Sequence, residues 1–172
     1  MNLIVAVDAD WGIGCQGDLL FNIPADMRFF KSTTTGKIVV MGDVTLKSLP
    51  HSRPLPNRIN IVLSLNPSFQ AEGAIVCQTL AELFQLLASY DTKDVFVIGG
   101  AAVYNQLLPY CEYAYITKVH AKAKADKYLD NVDAMPNWQL VETSALQQHN
   151  DYTFTFNTYR NRDVQKFEEI LH

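Results

Sequence analysis

Short apolar runs of single-strand length recur along the chain, and most are separated by stretches whose apolar positions follow helical spacing. Leu3–Val7 is the first such run, continuous enough for a strand buried on both faces. Lys37–Met41, Ile59–Leu63, Ala74–Cys77, Val95–Ile98 and Tyr113–Val119 repeat it. Helices are predicted from Pro24 to about Thr34, from Gly42–Asp43 to Leu49–Pro50, and from Gly99–Gly100 through Leu107. Another follows Thr79, with apolar positions Leu80, Leu83, Phe84 and Leu87. Pro24 suits a first turn, where its missing N–H has no partner to lose, and Gly36 ends that helix. Thr79 with Glu82 three residues on has the spacing of an N-terminal capping pair. Asp8–Phe21, punctuated by Gly12, Gly14 and Gly17, predicts a mobile loop. Arg53–Arg58 predicts a stiff one, because two prolines fix φ and bias their predecessors to extended backbone.

Past Pro136 the pattern changes. Gln139–Leu146 and Tyr152–Tyr159 read as an antiparallel pair, the second alternating Tyr152, Phe154 and Phe156 with threonines and Asn157. Strands alternating with helices, then a hairpin, predict an α/β fold whose sheet is mostly parallel with an antiparallel edge. The tail Asn161–His172 carries Val164, Phe167, Ile170 and Leu171 at roughly helical spacing, which predicts a surface helix.

Composition narrows the function classes. At 172 residues, 48% hydrophobic and 19% charged, the chain suits one soluble domain with a substantial core. A net charge of −4 with no basic stretch argues against nucleic-acid or anionic-membrane surfaces. Leu3–Val7 is broken by Asp8, too short for a signal-peptide core or a membrane span. Cys15, Cys77 and Cys111 lack CxxC spacing and read as free thiols in a reducing cytoplasm. His51, His120, His149 and His172 have no ligand spacing, so no metal site is expected. Asp126, Asp130 and Asp133 follow no calcium-loop pattern and read as a solvated connection. No serine or cysteine shows a partnered base, which disfavours covalent catalysis.

Candidate chemistry then centres on Ile13–Phe30, where Asp26 is a single acid in apolar surroundings. It falls in a first helical turn, where dipole and free amides favour a carboxylate, and Phe30 shares its face at i+4. Such an acid at the floor of an apolar slot can grip an aminopyrimidine-like group with two charge-assisted hydrogen bonds. An isolated first-turn aspartate more often only stabilises its helix. Gly99–Gly100 and Gly42–Asp43–Val44–Thr45 each follow a strand and open a helix, so the two turns could embrace a pyrophosphate or be ordinary turns. Arg58, behind the rigid loop, could meet a ligand carboxylate, whereas exposed arginines are usually solvated.

In order, Ile13–Gly14, Asn22–Asp26, Phe30, Val40–Gly42, Thr45, Arg53–Arg58, Ile61–Ser64, Val97–Gly100, Val103–Tyr104 and Tyr115–Thr117 make the chain resemble dihydrofolate reductase over residues 1–160, leaving 161–172 as a tail. The resemblance implies a central eight-stranded sheet with an antiparallel C-terminal edge strand and flanking helices. It implies a cytoplasmic monomer that reduces 7,8-dihydrofolate by hydride transfer from NADPH to pterin C6. Asp26 matches the acid that binds the pterin 2-amino and N3 groups and promotes N5 protonation, and Thr117 its hydroxyl partner. Met27, Phe30, Leu49 and Leu55 match the walls around substrate, with Ile4, Val5, Ala6 and Ile98 beside them, and Arg58 matches the partner of the glutamate α-carboxylate.

On the cofactor side, Ala6, Ile13, Ile98, Gly99, Gly100 and Tyr104 match positions lining the nicotinamide and pyrophosphate. The implied set extends to Gly14, Gly17, Asp18 and Leu19, to Gly42, Asp43, Val44 and Thr45, to Leu63, Ser64, Leu65 and Gln78, and to Ala101, Ala102 and Val103. Two departures matter. Leu20–Phe21 replaces a common Pro-Trp pair, so Phe21 keeps an aromatic wall without an indole N–H, which predicts slower or less tightly gated turnover. Asp43, Leu65, Gln78 and Ala102 stand where the family usually offers basic or hydroxyl groups to the NADPH 2′-phosphate. That predicts weakened NADPH selectivity, with NADH as an alternative donor, unless Asp43 faces solvent and Lys47 holds the phosphate. Two other functions stay open: the related pyrimidine reductase of riboflavin biosynthesis, and a folate- or nucleotide-binding protein with little turnover.

Overall fold

The computed structural model describes residues 1–167. In chain order the first half holds β1 (Asn2–Val7), β2 (Gly12–Cys15), β3 (Asp18–Leu19), α1 (Pro24–Thr34), β4 (Ile38–Gly42), α2 (Asp43–Ser48), β5 (Ile59–Leu63) and β6 (Ala74–Cys77). There follow α3 (Leu80–Leu87), β7 (Val95–Gly99), α4 (Ala101–Leu107), β8 (Tyr113–Val119), β9 (Lys127–Tyr128), β10 (Trp138–Thr143), β11 (Gln147–His149) and β12 (Tyr152–Asn161). The main sheet runs β10-β12-β8-β1-β7-β4-β5-β6, with β11 paired on β12. From β8 to β6 every pairing is parallel, while β12 runs antiparallel to β8, β10 and β11. The mostly parallel sheet with an antiparallel C-terminal edge is as expected, and the predicted pair appears as β10 and β12, with the short β11 added on β12.

Both sheet faces are covered, which is why the strand sequences are continuously apolar. Val40, Ile61 and Val97 turn toward Leu83 and Phe84 of α3 and Leu107 of α4, whereas Val39, Met41 and Val62 turn toward Leu46 of α2. Each such side chain contributes about 1.5–3 kcal/mol by leaving water. The predicted capping pair forms: Thr79 Oγ1 accepts from the Glu82 N–H, and Glu82 Oε2 accepts from the Gln78 N–H.

The segment from Asp8 to Phe21 is not the mobile loop its glycines suggest. It contains β2 and β3, which join β9 in a small three-stranded sheet. Asp8, only 3% exposed, spends its carboxylate as a clasp. Its Oδ1 accepts from the N–H groups of Asp10 and Gly12, and its Oδ2 from that of Ala123. Gly12 is required there by close approach, since a Cβ would lie 2.5 Å from that of Ala125. Asp126 adds a second tie, accepting from the Gln16 N–H at 3.0 Å. Asp133 is likewise engaged, with Lys118 at 2.7 Å and the Tyr159 hydroxyl at 2.8 Å, so both acids, exposed as expected, also tie the connection down.

Removing the Asp8 carboxylate leaves the fully buried Gly12 N–H without an acceptor. Asp8→Ala is expected to lower stability by about 2 kcal/mol, read as a drop in urea midpoint at unchanged slope. Asp8→Asn, which keeps one acceptor oxygen, should lose less.

At the other end, β12 runs through Asn161, and residues 162–167 do not form the predicted surface helix. Val164 is exposed and Phe167 stacks on Phe84 with ring centroids 4.5 Å apart, so the segment docks on α3 without forming a helix. Ile170 and Leu171 lie outside the described residues.

Candidate active site

Helix α1 is pinned across the sheet by one aromatic residue. The ring of Phe29 packs 4.9 Å from Phe156 of β12 and 6.5 Å from Tyr115 of β8. Tyr115 and Thr117 lie two residues apart and share a face of β8. Asp26, one helical turn before Phe29, is thereby delivered onto Thr117, whose hydroxyl donates to Asp26 Oδ1 at 2.7 Å. Thr117 is 2% exposed, and the strand register places Ala6 of β1 beside it. Burial pushes the Asp26 pKa above its ordinary 3.8, and the Thr117 hydrogen bond offsets part of that. The acid is thus held in one orientation and biased toward keeping a proton.

Around it, several apolar residues are only half-buried although their strand neighbours are sealed. Val5 and Ala6 contrast with Leu3, Ile4 and Val7 on β1, and Ile98 contrasts with Val97 on β7. Leu49, Leu55 and Ile98 pack on the core through one side only, Phe30 is partly covered, and Met27 is 46% exposed. Together they outline an apolar cleft beside Asp26. Ile4 is different, because its side chain is core and its carbonyl accepts the buried Tyr104 hydroxyl at 2.7 Å. The field of Asp26 adds to burial in raising the Tyr104 pKa, so the two groups share one neighbourhood.

Arg58 stands at the end of the rigid loop. Its Nε donates to the Pro56 carbonyl at 2.9 Å and its Nη1 to Thr34 Oγ1 at 3.1 Å, which leaves the outer edge of the guanidinium for a ligand. The loop itself is tied by Asn60, 2% exposed, which accepts from the Leu55 N–H and donates to the Leu55 and Arg58 carbonyls. Phe29, Thr34 and Asn60 are positioning residues that the sequence reading did not single out. A polar residue inside the apolar run Ile59–Leu63 was the available signal for Asn60.

At the carboxyl ends of the adjacent strands β4 and β7, Gly42, Gly99 and Gly100 meet. A Cβ on Gly42 would lie 3.2 Å from Val103 and 4.0 Å from the Gly100 nitrogen, and Cβ atoms on Gly99 and Gly100 would lie 3.3 and 3.4 Å from Thr45 Oγ1. Gly99, at φ +133°, has a backbone that other residues rarely adopt, and Tyr104 packs against it. Three missing side chains thus leave a bare backbone cradle, suited to a pyrophosphate. Ala101 and Ala102 follow at the start of α4, the latter exposed.

Farther along, Asp43 Oδ2 accepts from Ser64 Oγ at 2.7 Å beyond the buried end of Leu63. Val44 and Leu65 are 64% and 88% exposed. The Gln78 side chain donates to the Pro67 carbonyl. Ile13, Gly14, Gly17, Asp18 and Leu19 belong to the β2–β3 hairpin, with Leu19 at 72% exposure, and Phe21 rests edge-on against Tyr152, 5.1 Å between centroids.

Comparison with known proteins agrees with this geometry. A family model described as dihydrofolate reductase matches residues 1–161. The dihydrofolate reductase of Bacillus subtilis is 34% identical over 168 residues, covering 96% of this chain and 97% of that one. The type 3 dihydrofolate reductase of Salmonella typhimurium is 36% identical over 160 residues, covering 92% and 96%. Among solved structures, the Enterococcus faecalis dihydrofolate reductase complexed with NADP(H) and RAB-propyl superposes with a TM-score of 0.84 at 33% identity, over 94% of this chain and 96% of that one.

Proposed function

The chain belongs to the dihydrofolate reductase family, and from that premise we propose that Asp26, Thr117 and the apolar cleft beside them reduce dihydrofolate to tetrahydrofolate. NADPH supplies the hydride when bound. The observation that carries the assignment is the half-buried carboxylate of Asp26, fixed at 2.7 Å by Thr117 at the mouth of that cleft.

The residues divide the work by position. Asp26 offers Oδ2, and Oδ1 beside its Thr117 bond, to the 2-amino and N3 groups of the pterin, orienting the ring. The raised pKa lets the same group hold a proton near N5 and pass it through water. Met27, Phe30, Leu49 and Leu55 exclude water from the pterin and aminobenzoyl rings. Val5, Ala6 and Ile98 form the floor between substrate and nicotinamide. Arg58 meets the glutamate α-carboxylate with its free edge. Gly42, Gly99, Gly100 and Thr45 receive the pyrophosphate, and the hairpin residues Ile13, Gly14, Gly17, Asp18 and Leu19 cover the nicotinamide.

Arg58 favours a folate over a ribityl phosphate, because its planar fork is held rigidly for a carboxylate. Following absorbance at 340 nm with dihydrofolate and NADPH tests the assignment, and no oxidation would overturn it. We further infer a monomer, and a reducing cytoplasm as its compartment, the latter supported by three free thiols, two of them buried. Among the described residues no helix is long and apolar enough to cross a membrane.

Phe21, which the family resemblance assigns to the approach to the acid, has no hydrogen-bond donor on its side chain and packs on the Ile23–Val119–Phe154 cluster. Phe21→Trp, which adds an indole N–H able to hold a water, is expected to speed single-turnover hydride transfer about two- to tenfold. An unchanged rate would remove Phe21 from the reaction.

A further inference from the structure

We propose that the Asp43–Ser64 pair makes this reductase accept NADH on a par with NADPH, because the ribose end of its cofactor site is built to accept a hydrogen bond from a 2′-hydroxyl rather than to hold a 2′-phosphate. The inference rests on the hydride-transfer reading above.

The order of the sheet locates the ribose. Asp26 and Thr117 mark the reacting end at β8 and β1, and the glycine cradle lies at the carboxyl ends of the next strands, β7 and β4. A dinucleotide that reaches the acid and crosses the glycines must lay its adenosine over the carboxyl ends of β4, β5 and β6. Asp43 is the first residue after β4 and Ser64 the first after β5, and the two are hydrogen-bonded at 2.7 Å.

Ser64 is 2% exposed, gives its proton to Asp43 Oδ2, and accepts from the Asn66 N–H at 3.3 Å. Its hydroxyl is therefore committed. Asp43 keeps Oδ1 as a free acceptor on an anchored carboxylate. A ribose hydroxyl needs an acceptor there, whereas a phosphate dianion is repelled by one.

Among the described residues no lysine or arginine forms an ion pair with Asp43. Residues 59–92 and 94–117 contain no lysine or arginine. Lys47 is the cation of α2, and its ammonium lies over the Phe69 ring, 5.6 Å from the centroid. Arg58 is held by Pro56 and Thr34, and Lys93 lies beside Asp91 at 3.3 Å, before β7 begins. Glu82, bonded to the Gln78 N–H at the end of β6, adds a second carboxylate to this side. The exposed Val44 and Leu65, next in sequence to the pair, supply apolar surface of the kind an adenosine covers.

Calorimetric titration of the intact enzyme with NADH and NADPH, and with 5′-AMP and 2′,5′-ADP, reads the site without turnover. The expected result is dissociation constants for NADH and NADPH within about tenfold of each other, and no gain from the 2′-phosphate in the smaller pair. Asp43→Arg should shift the affinity ratio about 10–150-fold toward NADPH, the span of one charge-assisted bond. Asp43→Asn, nearly isosteric, should shift it the same way by a smaller factor, with the fold checked by circular dichroism. Wild-type NADPH binding far tighter than NADH, or an unchanged ratio in Asp43→Asn, overturns the proposal. Binding as expected with no oxidation by dihydrofolate would overturn the catalytic reading instead and leave the ribose assignment standing. If neither dinucleotide binds, both fall.

Discussion

Asp26→Asn is expected to slow hydride transfer to dihydrofolate about 10²–10⁴-fold at neutral pH, the range spanned by a positioned acid–base group. Asparagine preserves the shape and can still accept the Thr117 hydroxyl, so the loss isolates the proton and the charge. The wild-type rate should fall as pH rises through the Asp26 pKa, which burial has raised above 3.8. In the variant that dependence should vanish or move to acid pH, where solvent protonates the substrate directly. Single-turnover rates across pH 5–9 decide it, and full activity in the variant at neutral pH removes Asp26 from its role.

Stability should move in the opposite direction. A carboxyl whose folded pKa is raised favours the folded state fully below its unfolded pKa and loses that contribution as pH rises through the folded one. Asp26→Asn should therefore melt higher than wild type at pH 7–8, with the difference closing as pH falls toward 3.8. Lower stability at neutral pH would show that the acid is a structural partner of Thr117 rather than a strained functional group.

Arg58→Ala is expected to raise the KM for dihydrofolate about 10–150-fold with little change in kcat, since a charge-assisted pair is worth about 1.5–3 kcal/mol. Its partner carboxylate lies far from the reacting atoms, so binding is lost without damage to the transition state. The prediction has a built-in comparison: a substrate lacking the glutamate should bind wild type and variant alike. The Thr34 and Pro56 contacts explain why Arg58→Lys should rescue poorly, as an ammonium cannot keep both bonds and still present a flat edge.

Most of the strand and helix pattern was legible because it is local. Apolar runs of four to seven residues, each closed by a polar residue or a glycine, specify strands regardless of what packs on them. Pro24, Gly36 and the Thr79–Glu82 pair place helix ends through contacts within one turn. Asp8–Phe21 was misjudged for the converse reason. Its glycines signal freedom locally, but what orders them is Asp8 reaching Ala123 and Asp126 reaching Gln16, more than a hundred residues apart. The tail failed similarly, since the Phe84 ring that receives Phe167 has no trace in the tail's own spacing.

The sequence by itself determined the strand–helix alternation, the lone acid in an apolar stretch, the paired glycine turns and the scarcity of cations between Arg58 and Lys118. Those are properties of residue type and short-range spacing. Only the tertiary structure decided what each group meets: Thr117 on Asp26, Thr34 on Arg58, Asn60 on the loop behind it, and Ser64 on Asp43. The physical reason is that hydrogen bonds act over about 3 Å, while the partners are separated by 91, 24, 5 and 21 residues. Apart from the Asn60 tie, a parallel sheet must first bring the partners' strand and helix ends side by side.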